Sequence, residues 1–233
     1  MKCPSCEQQE IIKNGKIHNG KQRYKCKNCG RQFVENPQNC RITEEKKKII
    51  ANCLLEKVSL RGIHRITGVA VSWIQEYSNE IYRQALLTPL SSKKKSPMTI
   101  ECDERWSYVG NQAFKSWIWL ALDVASRRIV GYTVGQRDQR EALRLWQSLP
   151  PVYRQCAVCY TDNWKAYRGI LPKTRHRIVG KSTGKTNHIE RFNNTLRQRI
   201  SRLGRKTLAF SKQLENHLGA IAYFIHHYNS SLL

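Results

Sequence analysis

Three acids and four cysteines are the residues whose types and spacing could do chemistry. Asp103 closes the run "MTIECD" and Asp162 closes "QCAVCYTD"; both runs are apolar and read as strands. Carboxylates at the carboxyl ends of neighbouring strands in an α/β sheet point into one crevice. The third acid, Glu190, is the single acid within 185–206, beside seven Lys and Arg. Three hard oxygen donors with open positions suit Mg²⁺ or Mn²⁺ rather than zinc, and such ions can clamp an in-line displacement at phosphorus. Asp103, Asp162 and Glu190 are therefore the predicted catalytic residues and metal ligands. A local alternative exists for Glu190, since Asn187 followed three residues later by Glu is a capping-box pattern. Glu101 faces the same way as Asp103 but deeper along the strand, Glu104 faces oppositely, and Asp123 lies in a hairpin turn.

The cysteines predict a second metal. "CPSC" and "CKNC" place Cys3, Cys6, Cys26 and Cys29 as two knuckles, with Gly30 fitting the tight turn after the second. Four thiolates match tetrahedral zinc, and a module this poor in apolar residues folds only with its metal. "KIHNGKQRYKC" reads as a hairpin with a type I′ turn at Asn19-Gly20. A further CxxC, Cys156 and Cys159, falls in an apparent strand, where the two side chains face opposite ways; both read as buried thiols. Cys40, Cys53 and Cys102 have no partner at metal spacing.

These groups need elements to hold them. Residues 42–57 read as a helix. Ser59 caps a short helix with Leu60, Ile63 and Ile66 on one side, Gly68 marks a turn, and Val71, Ile74, Tyr77 and Ile81 form a second stripe. Helix, turn and helix predict a helix-turn-helix, with Ser72, Trp73 and Gln75 on the helix that enters a major groove. A plain three-helix bundle fits the same pattern. Residues 89–97 read as a basic linker. From 98 the pattern becomes three strands, a helix, a strand, a short helix over 163–170, a strand at "RHRIVG", the basic helix from Asn187 and a last amphipathic helix over 211–228. That order predicts a mixed sheet flanked by helices. The expected organisation is a zinc-ribbon-like module at 1–37, a helix-turn-helix domain at 41–88, the linker, and an α/β catalytic domain at 98–233.

Charge names the partner. The chain has 233 residues with 41 basic against 17 acidic, a net charge of +24. So large an excess points to a polyanion, and duplex DNA fits through phosphate neutralisation. Lys185, Arg191, Arg197 and Arg199 surround Glu190 and are the predicted strand-holding bases. No apolar run approaches bilayer length and no signal peptide opens the chain, so a cytoplasmic, nucleoid-associated protein is expected.

The stretches "MKCPSC…YKCKNCGRQF", "ECDERWSYVG", "YTDNWKAY" and "NHIERFNNTLRQRISRLGRKTLAFSK…AIAYFIHHYN" resemble the IS-one family of bacterial insertion-sequence transposases. The resemblance implies a zinc finger, a helix-turn-helix and a ribonuclease-H-like domain with a DDE triad falling on Asp103, Asp162 and Glu190. It also brings His188 and Arg197 into the last motif, where related enzymes touch DNA. The implied activity is metal-dependent cleavage at terminal inverted repeats followed by strand transfer, in a homodimer or larger complex. Two other readings stay open on the residues alone. One is a DNA-binding regulator with an inactive second half; the other is a different nuclease on the same fold.

Overall fold

The computed structural model describes residues 1–35, 42–90, 98–111, 113–180, 183–204 and 211–232. They fall into two compact units, Met1–Glu44 and Glu45–Leu233. Cys40 and all of the expected linker beyond Leu90 lie outside the described residues.

The first unit is a three-stranded antiparallel sheet of β1 (Ile11–Lys16), β2 (Gln22–Cys26) and β3 (Gln32–Val34), in that order. The expected hairpin forms, but not through a type I′ turn. Only Gly20 of the Asn19-Gly20 pair has positive φ, at 81°, whereas type I′ needs it at both. The loop instead closes with the Ile17 amide on the Lys21 carbonyl at 3.0 Å and the Gly20 amide on the Ile17 carbonyl at 2.9 Å. Gly30, at φ 71°, turns the second knuckle so that its amide reaches the Cys26 carbonyl at 3.0 Å, a conformation that favours glycine.

The second unit begins with α1 (Glu44–Leu54), α2 (Leu60–Thr67) and α3 (Val71–Leu87). Ser59 caps α2 by accepting from the Gly62 amide at 3.1 Å, and Gly68 ends it in the left-handed region with its amide on the His64 carbonyl. The apolar stripes are displaced from the expected ones. Ile66 is 60% exposed, and the buried face of α3 is Ile74, Ser78, Tyr82 and Ala85.

A five-stranded mixed sheet follows. Strands β4 (Thr99–Tyr108), β5 (Lys115–Asp123) and β6 (Ile129–Gly135) pair antiparallel. Helices α4 (Gln139–Ser148) and α5 (Pro151–Cys156) lead into β7 (Val158–Thr161) and β8 (His176–Ile178), which are parallel to each other. The sheet order is β6-β5-β4-β7-β8, with β4 and β7 parallel neighbours. Helices α6 (Asn187–Arg199) and α7 (Leu214–Ser230) close the chain. Burial on both faces explains the near-continuous apolar run of β5. On one face Ile100, Cys102 and Trp119 pack with Leu145, Tyr153 and Tyr167. On the other Ile118, Leu120 and Leu122 pack with Phe192, Leu196 and Phe224.

Two local expectations need correction. β4 does not end at Asp103 but runs five residues further, because Glu104–Tyr108 stay paired with Lys115–Trp119 of β5. Cys156 is not on a strand; it ends α5, is exposed, and donates its thiol to the Val152 carbonyl at 2.9 Å, while Cys159 is buried on β7. The Pro151 at the first helical position favours the helix.

Helix α7 is covered on both sides: Phe224 and Ile225 face the sheet, and α3 lies against Gly219. A Cβ on Gly219 would stand 2.3 Å from the Tyr82 Cβ, so the two helices touch where glycine leaves room. The His226 ring shares a 3.0 Å hydrogen bond with the Ala85 carbonyl, and the Tyr223 hydroxyl donates to the Ala51 carbonyl at 3.3 Å. No helix among the described residues is long and apolar enough to cross a membrane.

Candidate active site and metal centre

The two aspartates meet because of sheet register. Ile100 of β4 lies opposite Cys159 of β7, and Glu101 opposite Tyr160. Continuing two residues brings Asp103 level with Asp162 at the carboxyl end of β7. Asp103 is held firmly: its Oδ1 accepts from the Glu104 amide at 2.9 Å and its Oδ2 from Asn193 Nδ2 of α6 at 2.7 Å. Asp162 Oδ1 accepts from the Trp164 amide at 2.9 Å. Burial pushes the Asp103 carboxyl up to about 6; the charges of Glu104 and Asp162 push the same way, against its two hydrogen bonds. A crowded carboxylate pair of this kind gains from a cation.

Glu104 lies on the opposite face of β4 from Asp103, and the Asp162 charge acts on it as well. Arg137 donates to it through Nε at 2.9 Å and Nη2 at 2.6 Å, and the Tyr167 hydroxyl through a 3.1 Å bond. Burial raises the Glu104 carboxyl, and the Arg137 guanidinium pulls it back. Arg137 itself lies between two indoles, 4.4 Å from the Trp117 centroid and 3.8 Å from that of Trp164. The loop carrying Asp162 thus rests on a cation–π stack anchored by a buried acid.

Glu190 lies in the first turn of α6, exposed, one turn before Asn193. Asn187 is the first helical residue rather than the cap; the cap position is Thr186, whose hydroxyl donates to Glu190 Oε1 at 3.1 Å. The capping box expected from Asn187 and Glu190 therefore does not form. The first-turn amide of Ile189 is instead taken by Glu101 Oε2 at 2.8 Å. The structure brings Asp103 and Asp162 together; the partner it shows for Glu190 is Thr186, the cap residue of its own helix. Among the described residues the four cysteines are the one set of three or more metal-ligating side chains whose donor atoms converge.

Those cysteines converge tightly, all four donor atoms lying within 4.8 Å of one another. Cys3 and Cys29 sulfurs are 3.6 Å apart, as are those of Cys6 and Cys26. The Gln8 amide and then the Cys29 thiol draw Cys6 down to about 6. Cys29 goes the other way, to about 12: the Arg31 amide lowers it, but Cys6 and desolvation raise it further. So close a set cannot ionise fully without a cation, and its donor chemistry and geometry fit tetrahedral zinc.

The basic residues are spread over α6 and its approach. Lys185 and Arg191 are exposed, and the Lys185 ammonium stands 5.9 Å from the Tyr160 ring. His188 Nε2 is 4.0 Å from Glu101 Oε1. Arg197 is half-buried, and Arg199 pairs with Glu56 and lies over the Phe224 ring at 5.2 Å. On α3, Ser72 and Gln75 are exposed, while Trp73 stacks on Tyr77 at 5.0 Å. Sequence reasoning missed Asn193. Its signal was a polar residue on the stripe of Ile189, Phe192 and Leu196, where it is 4% exposed. It also missed Arg137 and Trp164, which carry no spacing signal.

A family profile described as IS1 transposase matches residues 98–229, and one described as the InsA N-terminal domain matches residues 1–30. The insertion element iso-IS1n protein InsB of Shigella dysenteriae is 38% identical over 125 residues, covering 54% of this chain and 92% of that protein. The insertion element IS1 protein InsB of Shigella sonnei is 36% identical with the same coverage. The insertion element IS1 4 protein InsB of Escherichia coli (strain K12) is 36% identical over 125 residues, 72% of its length. With a zinc-ribbon match at its start and a DDE-type domain over most of the rest, the chain belongs to the IS1 transposase family.

Proposed function

We propose that this transposase binds the terminal inverted repeats of its insertion sequence, cuts a DNA strand and joins the freed end to target DNA at a site formed by Asp103, Asp162 and Glu190. The observation that carries this reading is the level placement of Asp103 on β4 and Asp162 just past the end of the adjacent parallel β7, with the Asp103 carboxyl raised to about 6. The sheet order, three antiparallel strands followed by two parallel ones, supports a ribonuclease-H-like domain over 98–233. A bound Mg²⁺ or Mn²⁺ supplies charge neutralisation at the scissile phosphate and a better oxygen nucleophile. The hard oxygens of the three acids would hold it. Asn193 and the Glu104 amide fix the orientation of Asp103, and the Trp164 amide that of Asp162, so that little reorganisation remains when the phosphate arrives.

The other parts fit DNA. Helices α2 and α3 act as the helix-turn-helix of a domain over 41–88, with Ser72 and Gln75 exposed to read bases and Trp73 beside them. Lys185, His188, Arg191 and Arg197 hold the strand near Glu190; Arg199 joins them only by leaving Glu56. Cys3, Cys6, Cys26 and Cys29 hold zinc in the module over 1–37. Two element ends must be brought together, so the working form is a dimer or larger, acting at the nucleoid.

The test is incubation of the whole protein with a labelled inverted-repeat end and Mg²⁺ or Mn²⁺. Nicked and joined products are expected, and Asp103→Asn, Asp162→Asn and Glu190→Gln should each lower both by orders of magnitude while end affinity holds or rises. Near-normal cleavage by a folded Glu190→Gln protein would remove that acid from the site. Cleavage without joining would indicate another nuclease, and neither product a DNA-binding regulator.

A further inference from the structure

We propose that Glu101, an acid outside the triad, is the positioning residue for α6, setting where Glu190 stands relative to Asp103. This rests on the triad reading above. Glu101 is 2% exposed on β4, two residues before Asp103 and on the same face. A buried carboxylate is costly unless it is hydrogen-bonded, so its contact needs a reason. Its Oε2 accepts from the Ile189 backbone amide at 2.8 Å, and Oε1 lies 4.0 Å from His188 Nε2. Helix starts leave amides without partners inside the helix, and a side chain at the cap position ordinarily takes one. Here Thr186 makes no such bond, and a carboxylate from the sheet does so instead, with the sign the helix dipole favours.

The second pin makes the arrangement a register. Asp103 takes Asn193 Nδ2, and Arg105 Nη1 donates to the Asn193 carbonyl at 3.0 Å. Two residues along a strand advance roughly 6.7 Å. Four residues along a helix advance about 6 Å. Glu101 and Asp103 therefore meet Ile189 and Asn193 in step, and Glu190 stands between the two pinned positions. With one pin α6 could turn or slide; with both, its first turn is fixed on the strand that carries Asp103. The outer side of Glu101 borders a separate cavity of about 380 Å³ that includes Lys185 and His188.

The experiment compares Glu101→Ala, Glu101→Gln, Glu101→Asp, Asp103→Asn and Glu190→Gln in the whole protein. It reads melting temperature, end-DNA affinity and cleavage across a Mn²⁺ series. Loss of a group that orients a metal ligand typically costs 10–100-fold in metal affinity or activity. Glu101→Ala should bind end DNA normally, and its half-saturating Mn²⁺ concentration should rise by about tenfold or more. Glu101→Gln keeps an oxygen acceptor for the Ile189 amide and should stay within a few fold of the parent. Glu101→Asp, one methylene short, should behave like Glu101→Ala, and it decides the matter if Glu101→Ala does not fold. An unchanged Mn²⁺ requirement in folded Glu101→Ala or Glu101→Asp would overturn the inference, leaving Glu101 an ordinary cap. Glu101→Gln as inactive as Asp103→Asn would also overturn it, by making Glu101 a ligand. Normal cleavage by Glu190→Gln would instead overturn the triad reading, a result distinct from both.

Discussion

Asp103 shows how a largely buried carboxylate costs stability. Its carboxyl is raised from 3.8 to about 6, so between those values the folded protein binds a proton the unfolded chain has released. The charged form is the one burial penalises. Stability contributed by this residue is therefore lost as pH rises through about 6, and at neutral pH its charge is a net cost of order 1–3 kcal/mol. Asp103→Asn should relieve it. The amide clash with Asn193 Nδ2 is avoidable, because Asn193 Oδ1 is buried without a partner and a flip turns it toward the new donor. The expected outcome in metal-free buffer at pH 7 is a melting temperature higher than the parent's by several degrees, a gain that shrinks as pH falls below 6. Calorimetry across that range checks it; a lower melting temperature at pH 7 would show that the hydrogen bonds outweigh the charge.

The packing of α3 on α7 turns on one missing methyl. Glycine inside a helix costs about 1 kcal/mol relative to alanine, so propensity alone says Gly219→Ala stabilises. Sterics says the reverse, because the added carbon would lie 2.3 Å from the Tyr82 Cβ and 3.1 Å from its backbone. Overpacking of this kind costs typically 1–3 kcal/mol or more, and backbone cannot yield as a side-chain tip can. Gly219→Ala should therefore lower the melting temperature of the larger unit by a few degrees, measurable by thermal denaturation. A rise would mean the helices separate easily. Gly219 also marks where the sequence stops being legible. In "HLGAIAYF" it reads as a weak point of a helix, and its partner Tyr82 lies far upstream. The strands, Ser59 and Gly68 were readable because their causes are local. Asn187 misled for the opposite reason: the α6 amide found its acceptor on β4, which no local pattern shows. The extension of β4 past Asp103 was hidden in the same way. Charged residues at 103–105 suggest a strand end, yet pairing with β5 carries them on.

The whole chain joins two kinds of folding. The larger unit has a sheet with apolar clusters on both faces. The first unit has a small sheet and four thiols, so metal should be its main source of stability. Elemental analysis should find about one zinc per chain, as a four-thiolate site requires. Cys26→Ser should lose the zinc and the structure of residues 1–35, while the melting transition of the larger unit persists; Cys156→Ser should keep the metal. Zinc retained by Cys26→Ser would count against the site. Helices α1–α3 are placed differently, since they share a compact unit with the sheet and are seated on α7. On the proposed reading this makes the larger unit a caliper: one jaw is the base-reading helix, the other the carboxylate pair, and the hinge is closed by Gly219. The number of base pairs between the recognised repeat and the cut is then a property of the protein. Shifting the repeat along the DNA carries the cut with it, and an element keeps its ends defined through successive moves.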